Sequence, residues 1–540
     1  MNVKVDVAKK LLYVKHTLIY NNISNDTLKH IVLNDWNNAF SSKSSPLAKR
    51  FSDEFSRAFH LAKEEDRGNT SIKSIVDSNS NNISWERPSE KVDLVKITLN
   101  NPILPCSKDT IHLLYLVKIP NAKFTKYGFD ADGSIALKNW FLNPSRYENK
   151  QFVQQSNENL DDIPNAFSDF EIDIEIPENY SIASNLSEIK KENLISKKQY
   201  ILSGSNKNDV TLYLQPINKF TSYKNEIIEV SCGLDYSKIT AIQKAILVDK
   251  ITRFTASKLG NPSTEKILVS QIDYQRQPFY GLNQLPGFLS PFPDEFMFEL
   301  KFLKTYLNNY LKENLQLNPR KEAWIYDGIQ VFLMMQYIDE FYPDLTMTGN
   351  LSNFKILKSY HFINLPFNQQ YNYLYMLMAR KNLDQPLNEP KNRLIKFNEQ
   401  IASKYRAALS LNYLNNYLGN DIVLSSIKEF IQENKFLESN QRQFETILEK
   451  NTSEDINWFF RTIVETRELI DYKFGKVVKT KDSITINVIN KTNINAPISL
   501  FQLKNNEVVN KIWLNNITTD STFVIPRLDA DKIVLNYNNE

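Results

Sequence analysis

The chain has 540 residues and a net charge of +3, with 42% hydrophobic and 24% charged residues, a balance that sets it among globular proteins. The length fits about three domains, and the even charge, with no basic run, excludes a nucleic-acid-binding surface. Cys106 and Cys232 could form one bridge but exclude a disulfide framework or a cysteine-built metal site, and no stretch is apolar for long enough to insert into a membrane.

The first elements read as strands. Val3, Val5 and Val7 alternate, a second run covers Leu11 to Tyr20, Asn21-Asn22 interrupts it, and residues 28–35 resume. Residues 40–70 are polar and predicted to be partly helical around Phe51, Phe55 and Phe59. Strands return at Val92–Leu99 and Ile111–Ile119, and Phe170–Ile176 alternates cleanly until Pro177. Two more lie near 199–203 and 209–215, so residues 1–225 read as an all-β domain. The pattern changes near residue 236. Ser237 can cap a helix running through Ile242, Ile246 and Ile251 to about Leu259. Ile267–Ile272 reads as a buried strand, a Pro-rich loop spans Gln277–Pro286 and continues to Pro293, and helices dominate residues 226–472. Residues 473–540 return to β, with strands at Ser483–Ile489, Ile498–Leu503 and Phe523–Ile525. The expected class is therefore α+β and multidomain. The opening residues lack the apolar centre of a signal peptide. A cytoplasmic protein and an exported one whose leader is missing both remain open.

Four segments narrow this layout. Trp140–Pro144 precedes the unit Asp169-Phe170-Glu171 to Pro177-Glu-Asn-Tyr180; Trp324-Ile-Tyr-Asp327-Gly328 follows; then come Lys404-Tyr405-Arg406-Ala407-Ala408 and Ser453–Phe460. In order and spacing they resemble the M1 (gluzincin) aminopeptidases over nearly the whole chain: the D-F-E strand unit, W-x-x-E-G, Y-x-K-G-A and S-x-x-D-L-x-W-F-F. The resemblance implies a saddle-like N-terminal β domain, a thermolysin-like, mainly helical catalytic-type domain and a small C-terminal β-sandwich. The family's large C-terminal helical domain has no counterpart here. The resemblance also assigns Asp327 to the third zinc ligand and Tyr405 to the donor that steadies the oxyanion.

That family binds zinc through H-E-x-x-H, whose two histidines share one helix face, with a Glu after 18 further residues. The spacing back from Asp327 sets Lys304 and Asn308 at the histidine positions and Thr305 at the general base. Phe296, Leu300, Leu303, Leu307, Tyr310 and Leu311 form an apolar stripe, so the helix itself is expected. A protonated lysine repels a dication, a threonine is no carboxylate base, and an amide oxygen is a poor zinc ligand. The five histidines, His16, His30, His60, His112 and His361, offer no pair at helical spacing. The G-x-M-E-N signature, whose Glu binds the substrate amine in the family, is absent, and the loop Tyr274–Pro286 takes its approximate position.

The resemblance thus implies a zinc aminopeptidase, while the residues imply that the zinc is lost, with no metal ligand or catalytic set intact. The expected function is a non-catalytic scaffold that binds a peptide or protein segment in a cleft lined by Tyr280, Asn309 and Trp324, with Asn308 and Tyr405 nearby. Two alternatives stay open. One is an active zinc aminopeptidase with atypical ligands around Asp327 and His361. The other is a purely structural assembly component. A Lys304–Asp327 ion pair replacing the metal is a further expectation. The oligomeric state is not legible.

Overall fold

The alternation at the start of the chain produces a seven-stranded sheet. Its order is Ser187–Leu194, Lys197–Lys207, Ser168–Pro177, Asn2–Asp6, Leu11–Asn21, Lys108–Lys118, Asn69–Asp77. Asn2–Asp6 pairs parallel with Ser168–Pro177 and antiparallel with Leu11–Asn21, so the chain's first strand lies inside the sheet. Side chains alternate across it: Leu12 and Val14 join Ile172, Ile174 and Ile176 in one core. Asn69–Asp77 is a strand the sequence pattern hid. It lies at the sheet's edge with polar residues on one face, so its apolar content is low. A second sheet joins Leu28–Asn34 to Leu94–Ile103. Helices α1 (Pro46–Asp53) and α2 (Ala58–Leu61) fill the predicted helical stretch. Phe51 and Phe59 pack at 5.1 Å, whereas Phe55 sits after α1 at positive φ and points into solvent.

The structure, a computed structural model, describes residues 1–537 apart from 160, 282–284, 286–289 and 354–363. It divides into two compact units. One comprises Met1–Arg320 with Asn434–Ser439, and the other Lys321–Glu433 with Asn440–Glu540.

The first unit continues beyond the β sheets with helix α3 (Ala241–Leu259), which starts at Thr240 and not at Ser237. The Thr240 hydroxyl accepts from the backbone of Gln243, whose side chain reaches back to the cap backbone, a reciprocal box that Ser237 has no partner for. Lys266–Ser270 forms a buried strand, cut short of Ile272 because Ser270 caps α4 (Gln271–Arg276). Helix α5 (Asp294–Asn314) follows. All six residues of its predicted stripe are buried, and a second ladder, Phe298, Phe302 and Tyr306, stacks at 6.1 and 5.6 Å. Gln316–Leu317 pairs with Glu438–Ser439 to complete this unit.

The second unit opens with α6 (Ala323–Phe341), continues through α7 (Gln369–Ala379), α8 (Ser403–Leu418), α9 (Ile422–Glu433) and α10 (Gln441–Lys450), and closes in β structure. All three predicted C-terminal strands form. They join Tyr472–Lys479, Glu507–Leu514 and Lys532–Leu535 in two three-stranded sheets around Ile486, Val488, Leu500 and Ile517. Tyr413 and Tyr417 of α8 meet Trp458 and Trp513 edge-on at 5.2 to 5.8 Å, fixing the β layers to the helices. Among the described residues no helix is long and apolar enough to cross a membrane.

Candidate functional site

The residues singled out from the sequence fall on two helices of different units: Lys304, Thr305, Asn308 and Asn309 on α5, and Trp324 and Asp327 on α6.

Helix α5 is buried on nearly every side, which draws in even its polar positions. Lys304 is 5% exposed and Thr305 4%. The Thr305 hydroxyl donates to the Lys301 carbonyl one turn back at 2.9 Å, the usual refuge of a hydroxyl in a helix interior. Asn308 is half-buried and donates to Asn309 Oδ1 at 2.8 Å, while Asn309 donates to the Leu268 carbonyl at 2.7 Å. Asn309 is thus engaged at both ends and ties α5 to the strand Lys266–Ser270. Tyr280 is half-buried, and part of its loop, residues 282–284 and 286, lies outside the described residues. Lys301, one turn before Lys304, holds its ammonium 4.9 Å from the ring of Tyr236 and 5.4 Å from that of Tyr274. Burial lowers its pKa against the pull of Asp235 and Asp294.

Beside this helix lies a polar network that sequence reasoning did not find. Tyr127 donates to Asp273, Tyr213 donates to Ser270 at 2.7 Å, and the Ser270 hydroxyl donates to Asp273 at 2.8 Å. Arg276 bonds Asp161 at 2.7 Å and lies 5.1 Å from the Tyr127 ring. Burial and the Asp273 charge drive the Tyr127 pKa well up, so it stays a hydrogen donor. The network joins α4 to the β sheets of the same unit. Its only sequence signal was Ser270 followed three residues later by Asp273, a helix cap.

In the second unit the segments singled out from the sequence are packing devices. Trp324 is 2% exposed, lies 6.2 Å from Phe444 and 6.5 Å from Phe459, and donates to Gln441 at 3.3 Å. Its ring is core and not a cleft wall, because the helix start it occupies is covered by the Trp458–Phe460 segment. Gly328 faces α8 closely: an added Cβ would stand 3.1 Å from Ala407 Cβ and 3.3 Å from Leu411 Cδ1. The W-x-x-D-G and R-A-A segments therefore interlock where two helices approach closely.

That approach brings Lys404 to Asp327. The ammonium lies 3.2 Å from Oδ1, with the two side chains 5% and 16% exposed. Tyr405, 3% exposed, turns instead to the edge of Tyr371 at 4.8 Å. Read position by position against Y-x-K-G-A, Lys404 takes the first place of the motif and Ala407 the fourth. Arg406 donates to the carbonyls of Gln385, Ile463 and Thr466, tying two chain segments to the helix. Lys304 and Asp327, expected as a pair, belong to different units; the partner Asp327 has within its own unit is Lys404.

Of the described histidines, His16, His30 and His112 lie on strands and His60 on α2. His16 is buried beside Tyr115, 3.3 Å from its hydroxyl, and burial holds its pKa down to about 3. His60 meets Ser52 and His112 meets Thr17. His361, named as a possible ligand, lies outside the described residues. Among the described residues no group of three His, Cys, Asp or Glu side chains could hold a metal ion.

The fold resembles solved zinc metallopeptidases. An M1 zinc metallopeptidase from Deinococcus radiodurans, in a mutant form bound to a Tyr-Ser-Ala substrate, matches with a TM-score of 0.56 over 87% of this chain and 93% of that one, at 12% identity. The M1 zinc metallopeptidase of the same organism without that substrate gives 0.55 over 87% and 92%, also at 12% identity. A two-domain M1 zinc metallopeptidase mutant bound to L-tryptophan gives 0.55, at 12% identity over 87% and 93%. No protein-family model and no curated protein sequence matches the chain. Identity this low speaks for the fold alone: the chain has the multidomain α+β fold of the M1 peptidases.

Proposed function

We propose that the protein is a non-catalytic member of this fold that binds a peptide or an extended protein segment. The observation that carries the reading is what fills the positions of the metal ligand and the base. Lys304 contributes an ammonium, and Thr305 a hydroxyl already bonded to its own helix, both nearly without solvent contact.

These side chains do not fit a zinc ion. An ammonium repels it, a threonine hydroxyl is too weak a base to take a proton from water, and Asp327 already faces the Lys404 ammonium at 3.2 Å. No hydrolytic step can be derived through such a set.

A peptide is the proposed ligand because a protein of the same fold is bound to a Tyr-Ser-Ala substrate. Asn308 and Tyr280, both half-buried, are the side chains of the first unit proposed to meet it, since Asn309 is engaged at both ends.

The test is metal analysis of the purified chain after zinc exposure and desalting, beside hydrolysis of aminoacyl anilides. Zinc far below one equivalent and no turnover above a blank are expected. Near-stoichiometric zinc with turnover would overturn the proposal and favour an active peptidase with unusual ligands. Titration with Tyr-Ser-Ala without metal tests the binding half; no heat and no spectral change at millimolar peptide would sink it.

A further inference from the structure

We infer that the Lys404 ammonium takes over in this chain the work of a metal at Asp327: it supplies positive charge to the half-buried carboxylate and holds α6 to α8. The inference rests on the reading above only in treating Asp327 as a former ligand position; the ion pair stands on its own geometry.

Asp327 sits one residue before Gly328, where an added Cβ would come within 3.1 Å of Ala407. The two helices therefore approach closely there, and the Asp327 side chain lies against α8. Its side chain is only 16% exposed, so water can solvate little of it. One turn before Ala407, Lys404 presents its Nζ 3.2 Å from Oδ1 while keeping only 5% of its own surface in solvent. Two opposite charges removed from water together are tolerated when they pair. Either one left alone is strongly unfavourable. The flanking side chains help to hold the turn in register. Tyr405 packs against Tyr371, and Arg406 is fixed to three carbonyls, so Lys404 is carried on a helix turn whose neighbours are pinned.

A metal bound by several ligands holds distant helices by coordination. A lysine can hold only what its own helix touches, which here is α6. The carboxylate is then no longer free for an incoming cation, and the helix pair needs none.

The experiment is a double-mutant cycle on the full chain, Asp327→Asn, Lys404→Met and both, read by thermal unfolding. Asp327→Asn removes the carboxylate charge beside a buried ammonium and is expected to lower Tm most. Lys404→Met leaves a partly exposed carboxylate and is expected to lower it less. The double variant is expected to melt above Asp327→Asn alone. If Asp327→Asn does not fold, recovery of folded protein on adding Lys404→Met supports the inference equally. Additive losses, or no loss in either single variant, would overturn it. Zinc content of the same samples separates the two readings. Failed coupling without bound zinc sinks the ion pair's role alone, whereas stoichiometric zinc in the unmodified chain sinks the non-catalytic reading with it.

Discussion

At the scale of single residues, burial sets the chemistry. His16 is held neutral, with its pKa pushed down to about 3. The unfolded imidazole titrates near 6.5, so between these values the unfolded chain binds a proton that the native one refuses, and stability falls as pH is lowered through that window. From pH 6.5 to pH 5 this amounts to roughly 2 kcal/mol. Asp93 and Asp209 act with the opposite sign. Burial raises both to about 6, so the native state takes up their protons first and gains stability as pH falls towards 4. Comparing the chain with His16→Phe cancels the aspartates. Urea midpoints at pH 6.5 and 5 should show the unmodified chain losing about 2 kcal/mol more than the variant, and parallel losses would refute the assignment. The lesson for reading sequences is local. That Lys304, Thr305 and Asn308 make a poor zinc set was legible, because an ammonium repels a dication and a threonine is no carboxylate base. The lysine that meets Asp327 was not, since a neighbouring tyrosine fitted the family's role and only helix register decides which of Lys404 and Tyr405 faces α6.

At the scale of elements, the segments singled out in the second unit's sequence are those where helices touch. Gly328 illustrates how narrow the tolerance is. Gly328→Ala gains about 1 kcal/mol of helix propensity and loses a similar amount to contact with Ala407, so little net change in stability is expected. Gly328→Leu has no such room and should cost about 1–3 kcal/mol by denaturant unfolding. Trp513→Ala removes two edge-on tyrosine contacts at 5.5 and 5.2 Å, and a loss of about 2–3 kcal/mol is expected for this half-buried ring. An unchanged midpoint in that variant would mean that the C-terminal sheets are held elsewhere. Strands with strict alternation, such as Leu11–Asn21 and Ser168–Pro177, were read from sequence because one face must be apolar. The edge strand Asn69–Asp77 escaped, since an edge needs less apolar surface, and α3 was entered three residues early, because a reciprocal cap outweighs a lone serine.

At the scale of the whole molecule, the β, helical, β succession is the part of the architecture that sequence pattern displays most plainly. Contacts group it otherwise, with residues 1–320 in one unit and the later helices and sheets in the other. Pattern along a chain reports which elements form, not which of them share a core. If no metal adds its binding free energy to folding, a chelator has nothing to withdraw, and Tm should be the same with and without EDTA. A fall of several degrees would contradict the proposal.

The six residues Asn434–Ser439 return from the second unit's stretch of chain to the first, where Glu438–Ser439 pairs with Gln316–Leu317 and Glu438 approaches Arg146 at 3.4 Å. On a ribosome making about 10 residues per second, Gln316–Leu317 emerges some ten seconds before its partner strand exists. Arg146 waits longer still, with Glu148 as its nearby acid at 2.8 Å. The first unit cannot be finished while it is being made, and the whole of α6 to α9 must be synthesised during that delay. A nascent chain stalled before residue 434 therefore carries an open strand edge at Gln316–Leu317, which leaves it exposed to pairing with the wrong neighbour.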